Sequence, residues 1–221
     1  MYAVLKSAFE SVPVTEKLTG KSRVTVAMLT SPWPPRILLA AGLAPLVWLG
    51  WKWIQHDLGI NSIEYVARYT GRWALRLMIA TLAITPLRRI SGFIFLARFR
   101  RMLGLLTFAY AALHGLHYFW RDAQWTMSVI VEDLTYRRFF IAGAIAVGLM
   151  IPLAATSSGA AIRWLGGKRW HLLHRLVYVS AIAAAVHYIW QGKSYNQTPL
   201  IYAGVIGLLL LSRLVPSKRR R

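Results

Sequence analysis

The chain has 221 residues, of which 57% are hydrophobic and 13% aromatic, and its mean hydropathy of +0.45 is above that of an ordinary soluble domain. Its formal net charge of +20 would suggest nucleic-acid binding in a soluble protein, but the basic residues cluster between apolar segments, as the cytoplasmic anchors of membrane proteins do. The absence of cysteine excludes disulfides, thiolate metal ligation, iron–sulfur clusters and a cysteine nucleophile. These features predict an integral membrane protein.

The chain begins with a polar segment of mixed charge. Residues 1–35 end in the proline-rich sequence SPWPP at positions 31–35, which cannot continue a helix. We expect a loosely ordered cytoplasmic tail that could include a short interfacial helix. At the other end, residues 217–221 form a basic C-terminal tail.

Six apolar stretches lie between these tails. Each is near the length needed to cross about 30 Å of hydrocarbon at about 1.5 Å per residue. The sequence therefore predicts an all-α membrane protein with a six-helix transmembrane domain over residues 36–216. The predicted spans cover residues 37–54, 65–87, 102–120, 139–155, 170–190 and 199–215.

The basic residues fall mainly on one side of this arrangement, and most of the seven acidic residues fall on the other. Because lysine and arginine are enriched in cytoplasmic loops, both termini are predicted to be cytoplasmic. Under this assignment the cytoplasmic side carries Lys6, Lys17, Lys21, Arg23, Arg36, Arg88, Arg89, Arg98, Arg100, Arg101, Arg163, Lys168, Arg169, Arg213 and the basic residues at 218–221.

Three histidines, His114, His174 and His187, lie inside apolar stretches. An imidazole in hydrocarbon costs free energy unless it is ligated or hydrogen-bonded, so these residues are functional candidates. The third and fifth spans both run outward, which places His114 and His187 at one depth near the outer leaflet. Two imidazoles at one level on neighbouring helices are what a six-coordinate b-type haem iron needs.

His174 lies near the cytoplasmic end of the fifth span, thirteen residues before His187. This separation is a rise of about 20 Å, which suits a second haem, but it leaves the two rings about 140° apart around a straight helix. Either a bulge or tilt brings them into line, or His174 faces something else. On the third span, Arg100 and Arg101 stand fourteen and thirteen residues before His114; arginine binds metals poorly but suits haem propionates or a flavin phosphate.

Arg68, Arg72 and Arg76 recur every four residues and therefore form one stripe on the outer half of the second helix. Arg72 and Arg76 either pair with haem propionates or extend toward the lipid headgroups, and for Arg68 the headgroups are the favoured alternative. The basic run from residue 88 to residue 101 is interpreted as a topology anchor that faces anionic lipid, with a flavin or quinone headgroup as the alternative.

Each histidine also has a plainer interpretation. His114 and His187 could form interhelical hydrogen bonds, and His174 could be a hydrogen-bonded interfacial residue. His117 and His171 are typical of rim residues that contact headgroups and water. His171 and His174 form an HxxH pattern, but a zinc protease needs HExxH, so this interpretation is weak.

Several short motifs together resemble one known family. They are TGR from residue 70, ITPL from residue 84, RRMLGL from residue 100 leading to the LH of His114, LHRLVY from residue 173 and HYIW from residue 187. Their order and spacing are similar to those of the ferric-reductase-like transmembrane family, in the branch of haem-binding membrane subunits of periplasmic methionine sulfoxide reductase systems. The resemblance extends over roughly residues 37–215.

This resemblance implies a subunit of the bacterial inner membrane that binds haem b and FMN. It would take electrons from quinol or a flavin reductase and pass them to a periplasmic molybdenum-dependent methionine sulfoxide reductase (MsrP), which repairs oxidised proteins. It assigns His114, His174 and His187 to haem. It also implies that the chain transfers electrons and catalyses no bond-making reaction itself. The related NADPH oxidases have a fourth histidine where this chain has Arg100 and Arg101, which leaves the second haem in doubt.

Two other classes of function remain open. A small transporter would be expected to carry carboxylates within its spans, whereas the acidic residues here fall in the tail, in the outer loops or at a helix end. A chromophore-free membrane anchor is the second alternative. Colour separates the haem protein from both alternatives, because only the haem protein has a Soret band.

Overall fold

The computed structural model describes residues 20–192 and 196–214, without the side chains of residues 21–23. This part of the chain is helical and contains no strand. Residues 1–19 of the predicted N-terminal tail, the predicted C-terminal tail at 217–221 and the predicted end of the last span at residue 215 lie outside the described residues. The helices are α1 (Gly20–Thr30), α2 (Trp33–Ile54), α3 (Ser62–Ser91), α4 (Ala97–His117), α5 (Met127–Tyr136), α6 (Arg138–Ala155), α7 (Gly159–Leu165), α8 (Gly167–His174), α9 (Leu176–Gln191) and α10 (Thr198–Leu211).

The proline-rich segment separates α1 from α2. The break falls at Ser31 and Pro32, and α2 begins at Trp33, inside the segment that the sequence assigned to the tail. Pro34 and Pro35 occupy the first turn of α2. Proline is tolerated there because the first backbone N–H groups of a helix have no carbonyl partner within the helix.

The longest helix, α3, has a defined signal at each end. The Asn61 side chain accepts a hydrogen bond from the Glu64 backbone N–H at 3.1 Å, which caps the N-terminus. Gly92 ends the helix with φ at +74°, a left-handed conformation that glycine adopts without steric cost. These caps fix the register in which α3 presents its inner face.

Two helix pairs make the most extensive contacts in the described part of the chain, namely α3 with α4 and α6 with α9. Helix α4 also contacts α6, and α10 packs between α9 and α3, so that five helices surround a common core. Its buried residues are Leu75, Met78, Leu82, Ala111, Met150, Ala181, Ala185 and Ile206. Helix α2 lies outside this bundle against α3 and α4.

Three helical segments are long and apolar enough to cross a membrane by length and composition, namely Trp33–Ile54, Arg138–Ala155 and the segment Gly167–Gln191 that α8 and α9 form together. Helix α10 is apolar but shorter. Large apolar side chains such as Val47, Leu172 and Leu208 are more than 60% exposed on the outside of the bundle. A protein that exposes this much apolar surface is adapted to a lipid environment.

The fifth predicted span is not one straight helix. Arg175 separates α8 from α9, and its carbonyl accepts from the Tyr178 N–H at 3.0 Å, a three-residue spacing. This break falls between His174 and His187, where the sequence required a bulge or a tilt if both rings were to serve stacked sites.

Candidate cofactor site

The structure brings His114 of α4 and His187 of α9 together. Their ring centroids are 6.1 Å apart, and the ring planes are inclined at 77°. Both side chains are partly buried. The two histidines come from different helix pairs, so that the site forms only when the α3–α4 pair meets the α6–α9 pair.

Each ring is held by a hydrogen bond to a backbone carbonyl on the partner helix of its own pair. Nδ1 of His114 lies 2.9 Å from the carbonyl oxygen of Ala67, and Nδ1 of His187 lies 2.7 Å from that of Phe139. A carbonyl oxygen can only accept, so each Nδ1 carries the proton and donates it. In the neutral imidazole this leaves Nε2 with a lone pair that is available to a metal.

A glycine makes room for each ring. An added Cβ at Gly71 would lie 3.2 Å from Nδ1 of His114, and one at Gly143 would lie 2.7 Å from Nδ1 of His187. Each glycine stands four residues after the carbonyl that its histidine uses, Ala67 before Gly71 and Phe139 before Gly143. Because side chains on a helix lean toward its N-terminus, a larger residue at the glycine would cover that carbonyl.

The two halves of the site are therefore copies of one structural unit, although their sequences show no repeat. His114 and its carbonyl partner are 47 residues apart, and His187 and its partner are 48 residues apart. Seven residues before each histidine stands a buried hydroxyl, Thr107 on α4 and Ser180 on α9. Each contacts the opposite helix of its pair, Thr107 through the Thr81 hydroxyl at 3.5 Å and Ser180 through the Ala146 carbonyl at 2.8 Å. We call this unit, with its histidine, glycine and carbonyl, a half-site.

The paired half-sites have the dimensions of a six-coordinate metal centre. A histidine nitrogen lies about 2 Å from a first-row metal and the ring centroid about 1 Å further out, so two imidazoles on one metal have centroids about 6 Å apart. The observed 6.1 Å between His114 and His187 agrees with this spacing. The donor set, two neutral nitrogens with oriented tautomers, fits haem iron.

His174 lies apart from this pair. Its ring stacks on Trp170 with 3.9 Å between centroids, and its Nδ1 lies 3.1 Å from the Trp170 carbonyl. Its Nε2 is buried and has no hydrogen-bond partner among the described residues. Because a buried polar atom without a partner is costly, this nitrogen marks a second candidate ligand position. The described residues include no second histidine opposite it. The backbone of Leu153 and the charge of Arg100 both act on its ring.

The arginine stripe on α3 divides into three environments. Arg68 forms an ion pair with Glu64. The guanidinium of Arg76 lies over the Trp73 ring and donates from Nε to the Tyr202 hydroxyl at 3.1 Å. Arg72 donates from Nε only to the carbonyl of Arg68, at 3.2 Å on its own helix.

Of the three arginines in the stripe, Arg72 has the largest electrostatic effect beside the second half-site. It follows Gly71 directly, and its charge acts on Tyr188, the neighbour of His187. Within the described part of the chain, its outer guanidinium nitrogens have no acidic partner. Arg72 therefore has donors available for a carboxylate, and so does Arg76, which uses only Nε in its bond to Tyr202.

The remaining candidates lie elsewhere. Arg100 and Arg101 are exposed at the start of α4, at the end of the bundle that carries His174. His117 places Nε2 2.9 Å from the Ile63 carbonyl, and His171 is exposed beside Trp170. Among the described residues, no three histidine or acidic side chains gather as a zinc site would require.

Sequence reasoning missed the backbone carbonyls and Gly143, because only the tertiary structure shows what approaches them. It also missed a buried contact near the C-terminal end of α4. Asp133 on α5 is 4% exposed; it accepts from the Tyr118 hydroxyl at 2.6 Å and from Nε of Arg137 at 2.9 Å. This contact fastens α5 to the end of α4, next to the paired histidines.

A cavity of about 500 Å³ lies between α2, α3 and α4, close to His114. It is almost entirely apolar and open to the side, with a histidine and an arginine among its polar groups. Residues that line it include Leu46, Trp53, Leu113, Leu116, His117 and Arg121. Since Nε2 of His117 donates to Ile63, its Nδ1 is the nitrogen with a free lone pair.

The fold and the site define a class of protein, an all-helical membrane bundle in which two helices present facing histidines. Residues 70–185 match the family described as ferric reductase like transmembrane component. A protein of Rhodospirillum rubrum is 45% identical over 184 residues, covering 83% of this chain and 88% of the relative. A protein of Azospira oryzae is 50% identical over 160 residues (72% and 69%), and one of Brucella anthropi is 41% identical over 204 residues (92% and 90%).

All three relatives are described as the heme-binding subunit MsrQ of protein-methionine-sulfoxide reductase. The chain therefore belongs to the MsrQ family of ferric-reductase-like transmembrane proteins. The family resemblance of the sequence motifs is confirmed. So is the assignment as a helical membrane protein.

Proposed function

We propose that this protein is the electron-transferring membrane subunit of a methionine sulfoxide reductase system and holds one haem b between His114 and His187. One observation carries the proposal, namely the 6.1 Å spacing of two rings whose Nδ1 protons are both bonded to carbonyls. When bound, haem supplies a reversible one-electron iron couple. The names of the curated relatives support the same cofactor.

The chain's own residues position the ligands and exclude water. The carbonyls of Ala67 and Phe139 keep the protons on Nδ1, which holds Nε2 as the ligand and raises its basicity. The Phe139 ring lies 6.0 Å from that of His187 and covers one side of it. We assign the propionates to Arg72 and Arg76, since their guanidinium groups stand on the α3 face beside Tyr188 and Tyr202.

His174 is proposed as the single histidine ligand of a second haem on the opposite side of the bundle. Its buried, unpartnered Nε2 supports this assignment. Arg100 acts on the same ring as a fixed positive charge and suits a propionate rather than the metal. A haem-to-protein ratio that falls in His174→Ala supports the second site, and an unchanged ratio rejects it.

The electron donor is proposed to be quinol or a flavin reductase. The apolar cavity beside His114 opens toward the lipid, where quinol resides, and His117 offers Nδ1 as an acceptor for a quinol hydroxyl. For the flavin route, Arg100 and Arg101 are exposed side chains that could bind the FMN phosphate. The test is reduction of the haem by added quinol. If this reduction persists in Arg100→Ala but is lost in His117→Ala, the cavity is favoured as the quinol site.

We place the protein in the bacterial inner membrane with six spans and both termini in the cytoplasm. The spans are α2, α3, α4, α6, α8 with α9, and α10. In this orientation the paired histidines lie near the periplasmic face, from which electrons would leave for MsrP. Asp122 and Glu132 are exposed at that face and could dock the reductase.

The test of the cofactor is the absorption spectrum of the purified protein. We expect a Soret band that shifts on reduction with dithionite, and loss of the outer haem in His114→Ala and in His187→Ala. His171→Ala is the matched control, since it changes a histidine on an exposed site. A colourless protein would instead indicate a transporter or an anchor, and full haem content in both of the first two variants would reject the pairing.

Because the chain has no cysteine, its orientation can be tested with single-cysteine variants. Glu132→Cys on α5 and Ala160→Cys on α7 are both exposed. In intact cells a membrane-impermeant maleimide should label the first, on the periplasmic side, and spare the second. The reverse pattern would contradict the proposed topology.

A further inference from the structure

Gly71 and Gly143 lie directly against the rings of His114 and His187. Because glycine has no side chain, each ring has room to reach its carbonyl. We infer that Gly71 and Gly143 are positioning residues that set the direction in which His114 and His187 present Nε2 to the metal. This inference rests on the proposed haem ligation. It goes beyond that ligation in assigning the geometry to residues that do not touch the metal.

The first argument is the space around Gly143. A Cβ there would come within 2.7 Å of Nδ1 and 3.0 Å of Cε1 of His187, closer than real Cβ contacts allow. Neither atom is the end of a flexible chain, since the ring is held by the 2.7 Å hydrogen bond to Phe139. Alanine would therefore push the ring away and break that bond.

Gly71 has the same role with more room. Its Cβ would lie 3.2 Å from both Nδ1 and Cε1 of His114, so that the ring would need to move by only a few tenths of an ångström. The carbonyl of Ala67 that holds this ring also accepts from the Thr70 hydroxyl at 3.2 Å. A small displacement of His114 is therefore expected rather than release.

The second argument is repetition. The same order of carbonyl, glycine four residues later and histidine 47 or 48 residues from the carbonyl occurs in both half-sites, on two different helix pairs. Other glycines on these helices have no such surroundings. A Cβ at Gly148 of α6 or at Gly115 of α4 would meet nothing within 4 Å, even though Gly115 adjoins His114 in sequence.

The test compares four variants, Gly143→Ala, Gly71→Ala and the controls Gly148→Ala and Gly115→Ala. A haem with two histidine ligands has no open position, whereas release of one ligand leaves a position that carbon monoxide can occupy. All proteins in the comparison carry His174→Ala, so that a second haem with one histidine ligand does not contribute. On this background we expect the haem between His114 and His187 to bind no carbon monoxide in the otherwise unchanged protein and in both controls. Most of the haem that Gly143→Ala retains at this site should bind it, and the haem-to-protein ratio should fall toward that of His187→Ala.

Gly71→Ala should keep both ligands but shift the electron paramagnetic resonance spectrum of the ferric form, because the planes of the two rings would change their relative inclination. Helical content should stay at the wild-type level in the variants, since alanine favours helix over glycine, and each variant should still unfold in a cooperative transition. These controls separate a positioning effect from a general loss of structure.

The outcomes distinguish this inference from the proposed function. If wild type holds no haem, or if His114→Ala and His187→Ala keep it, the ligation itself fails. If ligation stands but folded Gly143→Ala excludes carbon monoxide as wild type does, the inference is overturned. Should Gly143→Ala not be recovered in folded form, Gly71→Ala decides, and an unshifted resonance spectrum there would overturn it.

Discussion

The imidazole planes of His114 and His187 are nearly perpendicular, inclined at 77° with 6.1 Å between their centroids. Each ring is fixed by its own carbonyl, on α3 for one and on α6 for the other, so that the angle follows from how the two helix pairs cross. The relative orientation of the two rings is thus a property of the bundle rather than of either helix alone.

This angle predicts the magnetic spectrum of the ferric haem. When two axial imidazoles are perpendicular, they leave the two iron orbitals that they contact nearly equal in energy, which makes the low-spin signal highly anisotropic. We expect electron paramagnetic resonance at low temperature to show one dominant feature at a high g value. A rhombic signal with three resolved features would mean that the ligand planes are nearly parallel in the loaded protein.

A second prediction concerns Arg72. Its replacement by alanine removes a positive charge beside the proposed propionates. Loss of this charge makes reduction of the haem iron less favourable, so the midpoint potential should fall. The change should be on the order of tens of millivolts, since an exposed charge pair contributes up to about 1 kcal/mol and 59 mV corresponds to a tenfold change. Arg68→Ala is the matched control, because Arg68 is already paired with Glu64. Equal potentials in wild type and Arg72→Ala would place Arg72 at the headgroups.

A third prediction concerns Asp133, whose buried carboxylate accepts from Tyr118 and Arg137. Alanine at this position should lower stability by about 1–3 kcal/mol, because the Tyr118 hydroxyl is left without its partner. Thermal unfolding in detergent measures this loss. Asp122→Ala removes an exposed carboxylate from the same region and should leave the unfolding temperature unchanged. Tyr118→Phe combined with Asp133→Ala should cost less than the sum of the two single changes.

A fourth prediction concerns the attachment of α1. Arg98 donates from Nη1 to the carbonyls of Met28, Leu29 and Ser31 at 3.1, 2.8 and 3.1 Å, which caps the C-terminus of that helix. Arg98→Ala should raise hydrogen exchange over residues 20–30 about fivefold, if about 1 kcal/mol of hydrogen bonding is lost. Arg101→Ala is the control, because Arg101 is exposed on α4, the helix that also carries Arg98. Unchanged exchange in Arg98→Ala would show that other contacts hold α1.

The interpretation of the basic run as a topology anchor left out what several of its members do locally. Arg98 caps α1, and Arg89 donates to the Ser212 carbonyl at 3.0 Å. Arg213 reaches the Leu82 carbonyl at 2.6 Å and the Tyr178 hydroxyl at 3.4 Å. Such contacts depend on which helix end arrives beside which, and a charge count contains no information on that.

The sequence alone determined the class of protein and which histidines lie within apolar stretches. Apolar stretches and clustered basic residues follow from the cost of placing polar groups in hydrocarbon, so they can be counted along the chain. For the same reason His114, His174 and His187 stood out as polar residues in apolar surroundings, and the order of the motifs identified the family.

Only the tertiary structure decided how these histidines are used. It brought His114 and His187 together across two helix pairs, left His174 apart beyond the break at Arg175, and placed a glycine and a carbonyl behind each paired ring. Hydropathy records whether a residue is apolar, but ring orientation depends on backbone atoms of a distant helix. Every residue carries the same backbone carbonyl, so the sequence does not show which carbonyl will bond to a histidine ring. That is decided only when the helices pack together.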